Sequence, residues 1–259
     1  MVSSPSSPST TGSSRSTELA ECGWRVVTSY QPDGTETRNM VPLTPEEFLH
    51  PQEGFHLPNS TFHDDMAGQA KDILTRRYAN DPTVCVFRDL LIEWGIQGQG
   101  DHCPDTFVAF GISNKEQNRS KFIVADEGVR PTFILEVVSP RYRKEDRENK
   151  VLEYALLKVQ EYVIIDRRRQ RRQVIEEVLG YRLVEGLYQP ITPDEEGRIR
   201  CETVGVLWSL QEGRLVIEDA NTGERLLSSL ELEQQAADMA ARLERYRERF
   251  GDLPENEEG

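Results

Sequence analysis

The stretch FILEVVSPRYRKEDRENK, residues 133–150, sets an ionisable side chain inside an apolar run. Glu136 follows Phe133, Ile134 and Leu135 and precedes Val137 and Val138. A short apolar, β-rich run of this kind reads as a buried strand. An ionised carboxylate in such a strand is costly unless it is paired or bound to a metal. A salt bridge to an arginine, a position at the strand end or a metal site would each relieve it. Directly after the run the chain turns to dense charge and reaches Lys150. Any fold of this chain must therefore bury a strand and bring charge to its end.

The 259 residues, 37% hydrophobic, suffice for one sizeable core with appendages. The formal net charge of −14 does not suit a non-specific DNA binder. The charge is uneven, however: between Ser139 and Arg172 there are 11 Lys/Arg against 6 Asp/Glu. A basic segment beside a buried acid is compatible with a polyanionic substrate held near a metal, and equally with a solvated helix and turn. The four cysteines Cys22, Cys85, Cys103 and Cys201 are widely spaced, with no C-x-x-C pair. That gives no support for a zinc site and suits a reducing cytoplasm. No apolar stretch approaches the ~20 residues of a membrane helix, and neither a secretory signal nor a targeting peptide is expected.

Residues 1–17 are Ser/Thr/Pro-rich and expected to be disordered. Residues 18–228 read as one α+β domain around a mixed central sheet flanked by helices. Thr44-Pro45 with Glu47 three residues later is a capping box at the start of a short helix. Phe62, Met66, Ala70, Ile73 and Leu74 mark a second helix. TVCVFRDLLIEW reads as one or two strands broken near Arg88-Asp89, and PDTFVAF as another strand. A helix is expected over 146–158, with its apolar stripe on Val151, Leu152, Ala155, Leu156 and Val159. EYVIID is a strand, RRRQRR its turn and QVIEEVL the return strand. Over 229–250, Leu232, Ala236, Met239, Leu243, Tyr246 and Phe250 are spaced 4, 3, 4, 3, 4, a heptad seam able to support a homodimer. An acidic tail, 251–259, ends the chain.

Asp105, at the head of a strand behind Pro104, is the natural partner of Glu136. Two carboxylates on adjacent strands can converge on one Mg²⁺ (or Mn²⁺), which takes oxygen ligands. Lys150 lies four residues after Asp146, on the same helix face, and a helix packed over the strand could bring it to the same point. Two acids and a lysine around a metal suit phosphodiester hydrolysis. The metal lowers the pKa of a bound water, and the lysine orients that water or stabilises developing charge.

HCPDTFVAF, the segment from RPTFILEVVSPRYRKEDRENK to EYVIID, and TGERLL together resemble the Uma-type family of restriction-endonuclease-like proteins, over roughly residues 40–228. The resemblance implies the PD-(D/E)XK nuclease fold, with Pro104-Asp105 and Glu136 matching its acidic positions. Val138 stands where that pattern has lysine; in the Uma-type family the lysine is displaced to the following helix, and Lys150 matches that place. The implied function is a metal-dependent endonuclease acting on DNA, with Asp105 and Glu136 as metal ligands and Lys150 as catalytic lysine. The alternative is a non-catalytic nucleic-acid-binding or assembly protein on the same fold.

Accessory candidates are His63, which could meet a phosphate or a water, Glu93 as a third carboxylate, and Tyr154, four residues after Lys150. For each a bland role competes: capping, a surface position and core packing. His102 and Cys103 flank the Pro-Asp pair but are poor ligands for a hard cation. Arg141, Arg143 and Arg147 are candidate nucleic-acid contacts, and the arginines of 167–172 a further, weaker set.

Overall fold

The computed structural model describes residues 11–251. Helix α1 (Thr11–Cys22) leads into a hairpin of β1 (Trp24–Tyr30) and β2 (Glu36–Pro42). Its first turns fall inside the Ser-rich stretch expected to lack structure, so that expectation fails for residues 11–17; residues 1–10 lie outside the described residues. The helix docks through its far end, where Leu19 is half-buried and Cys22 buried. Helix α2 (Pro45–Leu49) starts at the expected capping box, with Thr44 and Glu47 satisfying each other's backbone N–H groups. Helix α3 (Thr61–Arg77) is capped by Ser60 and buries Met66, Ala67, Ala70, Ile73 and Leu74 on one face.

Strands β3 (Val84–Phe87) and β4 (Ile92–Glu93) are separated at Arg88-Asp89, where Asp89 takes a positive φ of 49°. Then come β5 (Thr106–Phe110), β6 (Phe122–Ile123), the short α4 (Val124–Glu127) and β7 (Phe133–Val137), the strand of Glu136. Residues Glu145–Asn149 form a π-helical turn that runs into α5 (Lys150–Leu156). The expected apolar stripe of this helix holds in part: Ala155 and Val159 are buried and Val151 half-buried, but Leu152 and Leu156 are exposed, while Asp146, Lys150, Tyr154 and Leu157 are buried. A π turn holds one residue more than an α turn, so it shifts the residues of α5 relative to Asp146 and those before it.

Strands β8 (Glu161–Gln170) and β9 (Gln173–Val184) form a long hairpin. The arginine run is therefore mostly strand, and the turn is only Arg171-Arg172, with Arg171 at φ 57°. Strand β10 (Leu187–Pro190) pairs with β9, and β11 (Ile199–Cys201), β12 (Val206–Gln211) and β13 (Arg214–Asp219) make a separate three-stranded sheet. Helix α6 (Ser229–Phe250) closes the described chain; residues 252–259, most of the expected acidic tail, lie outside it.

The main sheet has the order β10-β9-β8-β7-β5-β3. Only β7 and β8 run parallel; the other pairs are antiparallel, so the sheet is mixed. A parallel pair needs a crossover, and α5 supplies it. One face of the sheet packs on α3 and the three-stranded sheet, where Trp208 stacks on Phe133 with ring centroids 5.4 Å apart. The other face packs on α5 and on Trp94 and Phe122. The architecture is α+β, with a mixed central sheet, flanking helices and a C-terminal helix.

Two carboxylates tie the layers together. Glu161, buried on β8, accepts hydrogen bonds from Arg182 Nε at 2.8 Å, Glu202 N at 3.0 Å and Thr203 N at 2.8 Å, fastening the second sheet to the first. Removing it leaves part-buried donors without their acceptor. Glu161→Ala should cost about 3 kcal/mol of stability in urea unfolding at pH 7; a loss under about 1 kcal/mol would show that the sheets hold together without it. On the hairpin, Glu177 is held at about 2, below its ordinary 4.5, first by its hydrogen bond from Arg168 and then by Arg147. A depressed carboxylate stabilises the fold above its unfolded pKa and loses that contribution as pH falls through the folded value. Glu177→Gln should therefore flatten the decline in melting temperature between pH 4.5 and about 2; an unchanged decline would assign it to other carboxylates.

Candidate active site

The ladder between β5 and β7 pairs Thr106 with Leu135 and Phe107 with Ile134. One step further in that antiparallel register sets Asp105 opposite Glu136. Residues directly opposite share a face. The two acids thus meet at one end of the sheet, on the side covered by α5. The Asp105 carboxylate accepts from the backbone N–H of Val137 at 2.6 Å, which fixes it against the end of β7.

Helix α5 brings the third group. Lys150 Nζ lies 3.0 Å from Glu136 Oε1 and 2.9 Å from Asp146 Oδ1. Tyr154, one turn on, donates its hydroxyl to the same Glu136 oxygen at 2.8 Å. Asp146 is itself anchored by the Ser139 N–H at 3.0 Å, and its carbonyl accepts from Tyr162 at 2.8 Å. Phe48 covers the ammonium, which stands 4.9 Å from the ring centroid, within cation–π range. Phe48 in turn stacks on Tyr142, whose hydroxyl bonds the carbonyls of Cys22 and Leu43. The N-terminal segment is thereby a wall of the site.

From the opposite side of the sheet, α3 contributes His63, with Nε2 3.0 Å from Asp105 Oδ2. Its Nδ1 is buried with no hydrogen-bond partner in the protein. Asp105, Glu136, Asp146, Lys150 and His63 all border a cleft of about 410 Å³, together with Asp89. Residues 52–59 form its outer rim. That rim is held by reciprocal backbone bonds between Trp24 and His56, which also stack at 3.7 Å. Gly23 makes this approach possible: at φ +68° a Cβ there would lie 2.3 Å from the His56 carbonyl.

The electrostatics are set by burial. Glu136 is pushed up to about 8 by burial, with Asp105 and Asp146 adding to the push and Lys150 opposing it. Burial also raises Asp146 and Asp89 above the usual carboxylate range. Asp105 is the exception: burial opposes its ionisation, but His63 and Lys150 hold it low. Burial disfavours the charged forms of Lys150 and His63, yet the carboxylates beside them outweigh it and raise both. Three buried carboxylates, Asp105, Glu136 and Asp146, here face Lys150 and His63, while the more exposed Asp89 pairs with Arg88 at 3.1 Å. The Cys103 thiol, also at the cleft, is pushed up to about 12 by burial, which disfavours its thiolate.

Asp105, Glu136, Lys150, Tyr154 and His63 are brought together as the sequence suggested. Glu93 is not: it sits on β4, in a small ladder with β6, and does not border the cleft. The further carboxylates are Asp146 and Asp89. Asp146 carried a signal, its i,i+4 spacing to Lys150; Asp89 carried only its place at a strand break. Arg143 and Arg147 pair with the buried Asp166, and Arg147 also with Glu177, while Arg141 is exposed.

Among the described residues, a second group has metal-ligand composition. Donor atoms of His50, His102 and Glu153 lie within 4.8 Å of one another. Trp94 Nε1 donates to His102 Nδ1 at 3.0 Å. Indole N–H is only a donor, so the neutral His102 ring carries its proton on Nε2, and burial keeps it neutral. That N–H meets Glu153 Oε2 at 2.7 Å. A ligating histidine does the reverse: it offers a lone pair and donates from its other nitrogen. The group is a hydrogen-bond chain that ties the segment before Asp105 to α5.

No curated protein matches the chain. A solved structure described as "a putative nuclease belonging to DUF820" from Anabaena variabilis aligns at 16% identity and a TM-score of 0.43, covering 63% of this chain and 91% of the other. The family Uma2, described as "Putative restriction endonuclease", matches residues 28–218. That match takes in the cleft from β1 to β13, and the chain belongs to this Uma2 family.

Proposed function

We propose that the chain is a divalent-metal-dependent endonuclease that hydrolyses DNA phosphodiester bonds in the cytoplasm. Asp105 and Glu136 are the ligands for Mg²⁺ or Mn²⁺, and Lys150 assists the attacking water. The observation that carries the reading is the excess of buried carboxylate over cationic side chains at one point of the cleft. Buried acids without full compensation are costly, and a hard divalent cation prefers such oxygen donors. Membership of the Uma2 family supports the same chemistry. The four free cysteines suit a reducing compartment.

When bound, the metal supplies an activated water and offsets phosphate charge. The protein's own groups do the positioning. Asp146, fixed by the Ser139 N–H, anchors the Lys150 ammonium beside Glu136. The ammonium orients the water and stabilises negative charge as it develops. Tyr154 holds the Glu136 oxygen in place. His63 braces Asp105 through its Nε2.

DNA cutting should require Mg²⁺ or Mn²⁺. Asp105→Asn and Glu136→Gln keep shape and hydrogen bonding, and each should reduce cutting by about 10² or more. Both should also weaken Mn²⁺ binding measured by calorimetry. Parent-like cutting by both variants would refute the site, and DNA binding by the parent with no cutting in either metal would make this a binding protein. Lys150→Gln separates the roles: its cutting rate at saturating Mg²⁺ should fall about 10²–10³-fold, with Mn²⁺ affinity changed far less. A rate equal to the parent's would move the water-assisting role to another group.

A further inference from the structure

Helix α6 is rooted in the domain and then leaves it. Ser228 caps it in a box with Glu231, and Ser229 bonds both carboxylate oxygens of Asp72 on α3. Beyond Leu232 every residue to Phe250 is exposed, including Met239, Leu243, Tyr246 and Phe250. These eighteen positions extend about 27 Å. A single helix of that length is marginal in water, and a stripe of large apolar side chains on it needs a cover. Its 4-3-4-3-4 spacing is that of a two-helix seam, with Leu232, Met239 and Tyr246 at d positions and Ala236, Leu243 and Phe250 at a positions.

We propose that the cover is α6 of a second copy of this chain, packed antiparallel about a two-fold axis near residue 241. Two observations select this partner and direction. The first is shape. In antiparallel pairing a positions meet d positions, which sets Leu232 against Phe250, Ala236 against Tyr246 and Met239 against Leu243, each occurring twice by symmetry. The smallest seam residue faces a large one, and all six layers are filled by a single register. Parallel pairing instead sets Ala236 on Ala236 and Tyr246 on Tyr246, alternating gaps with crowding.

The second is charge. Along α6 the acids Glu231, Glu233 and Asp238 come first, and the arginines 242, 245, 247 and 249 come after, with Glu244 and Glu248 among them. Antiparallel packing lays the acidic half on the basic half. Beside the seam it brings Glu233 to Arg247 of the other copy, twice. It also brings Arg242 to its own equivalent, once, with Asp238 four residues away to compensate. Parallel packing brings Arg242 to Arg247 twice and makes no attractive pair at those positions. The surface is thus self-complementary, as a two-fold interface requires. A dimer of this kind carries two clefts, but the pairing rests on α6 alone and not on what the cleft does.

The test is sedimentation equilibrium on the full chain, with circular dichroism melts to check that the domain is intact. The parent should be a dimer at micromolar concentration, and Met239→Glu should make it a monomer. Glu233→Arg or Arg247→Glu should each weaken the dimer about tenfold, by replacing two attractions with two repulsions. The double swap should restore it. A monomeric parent overturns the proposal, and so does a dimer that survives Met239→Glu, since its interface is then elsewhere. A dimer tightened by Arg247→Glu overturns the direction, because only parallel packing gains from that change.

Discussion

One buried ammonium sets the arrangement around it. Lys150 lies between Glu136 and Asp146, all three almost wholly removed from solvent. Removing three charges from water is expensive, and the pairing recovers that cost only if the geometry is tight and the remaining lone pairs are bonded. The structure meets both conditions: Tyr154 takes up Glu136, the Ser139 N–H takes up Asp146, and Phe48 closes the open side of the ammonium. These contacts come from four separate segments. The position of Lys150 therefore constrains α2, the end of β7, the π turn and α5 at once.

The topology explains why that lysine arrives from a helix. β7 and β8 are parallel neighbours, so the chain must leave the end of β7, cross the face of the sheet and start again at the other end. The crossover passes directly over Glu136. A side chain from it can reach the carboxylate from above, while Val138 stays with the apolar residues on that face. What remains is phase. The π turn at Glu145–Asn149 adds a residue before α5, and the face turned to the sheet carries Lys150, Tyr154 and Leu157 instead of Leu152 and Leu156. π turns are costly and recur at functional sites; here the turn exchanges apolar burial for a buried charge cluster.

That exchange marks the limit of what the sequence discloses. Glu136 and Asp105 are legible because each breaks a local rule, an acid in an apolar strand and an acid at a strand head, and an antiparallel ladder makes such residues meet. The helices at 45–49 and 61–77 are legible from caps and apolar spacing. On α5 the apolar spacing placed Val151, Ala155 and Val159 correctly but could not show that Lys150 and Tyr154 are buried in place of Leu152 and Leu156. The arginine run read as a turn because charge suggests solvent. In the structure Arg167 and Arg168 are strand residues matched by Glu176 and Glu177 across the hairpin, a pairing set by register rather than by any local signal. Asp89 and the Trp94–His102–Glu153 chain depend on contacts between segments far apart in sequence.

The same pairings change how the basic segment bears on a nucleic acid. Its surplus of positive charge looks available in the sequence. In the fold, Asp166 and Glu177 engage Arg143, Arg147 and Arg168, and Glu176 engages Arg167. Arg141, Lys144, Lys158, Arg169, Arg171 and Arg172 stay exposed, on a chain whose net charge is −14. Long-range attraction of a polyanion depends on the field of such exposed charges, which the net negative charge of the chain opposes; contact with a phosphate at the proposed site depends on the cleft itself. There the positive groups beside the acids are Lys150 and His63, each already committed to a carboxylate, with Lys121 further along the lining and near Glu53. A divalent cation on Asp105 and Glu136 would then do more than activate water. On the proposed reading it would also turn the site from negative toward positive for a phosphate, so that metal would help to hold DNA as well as to cut it.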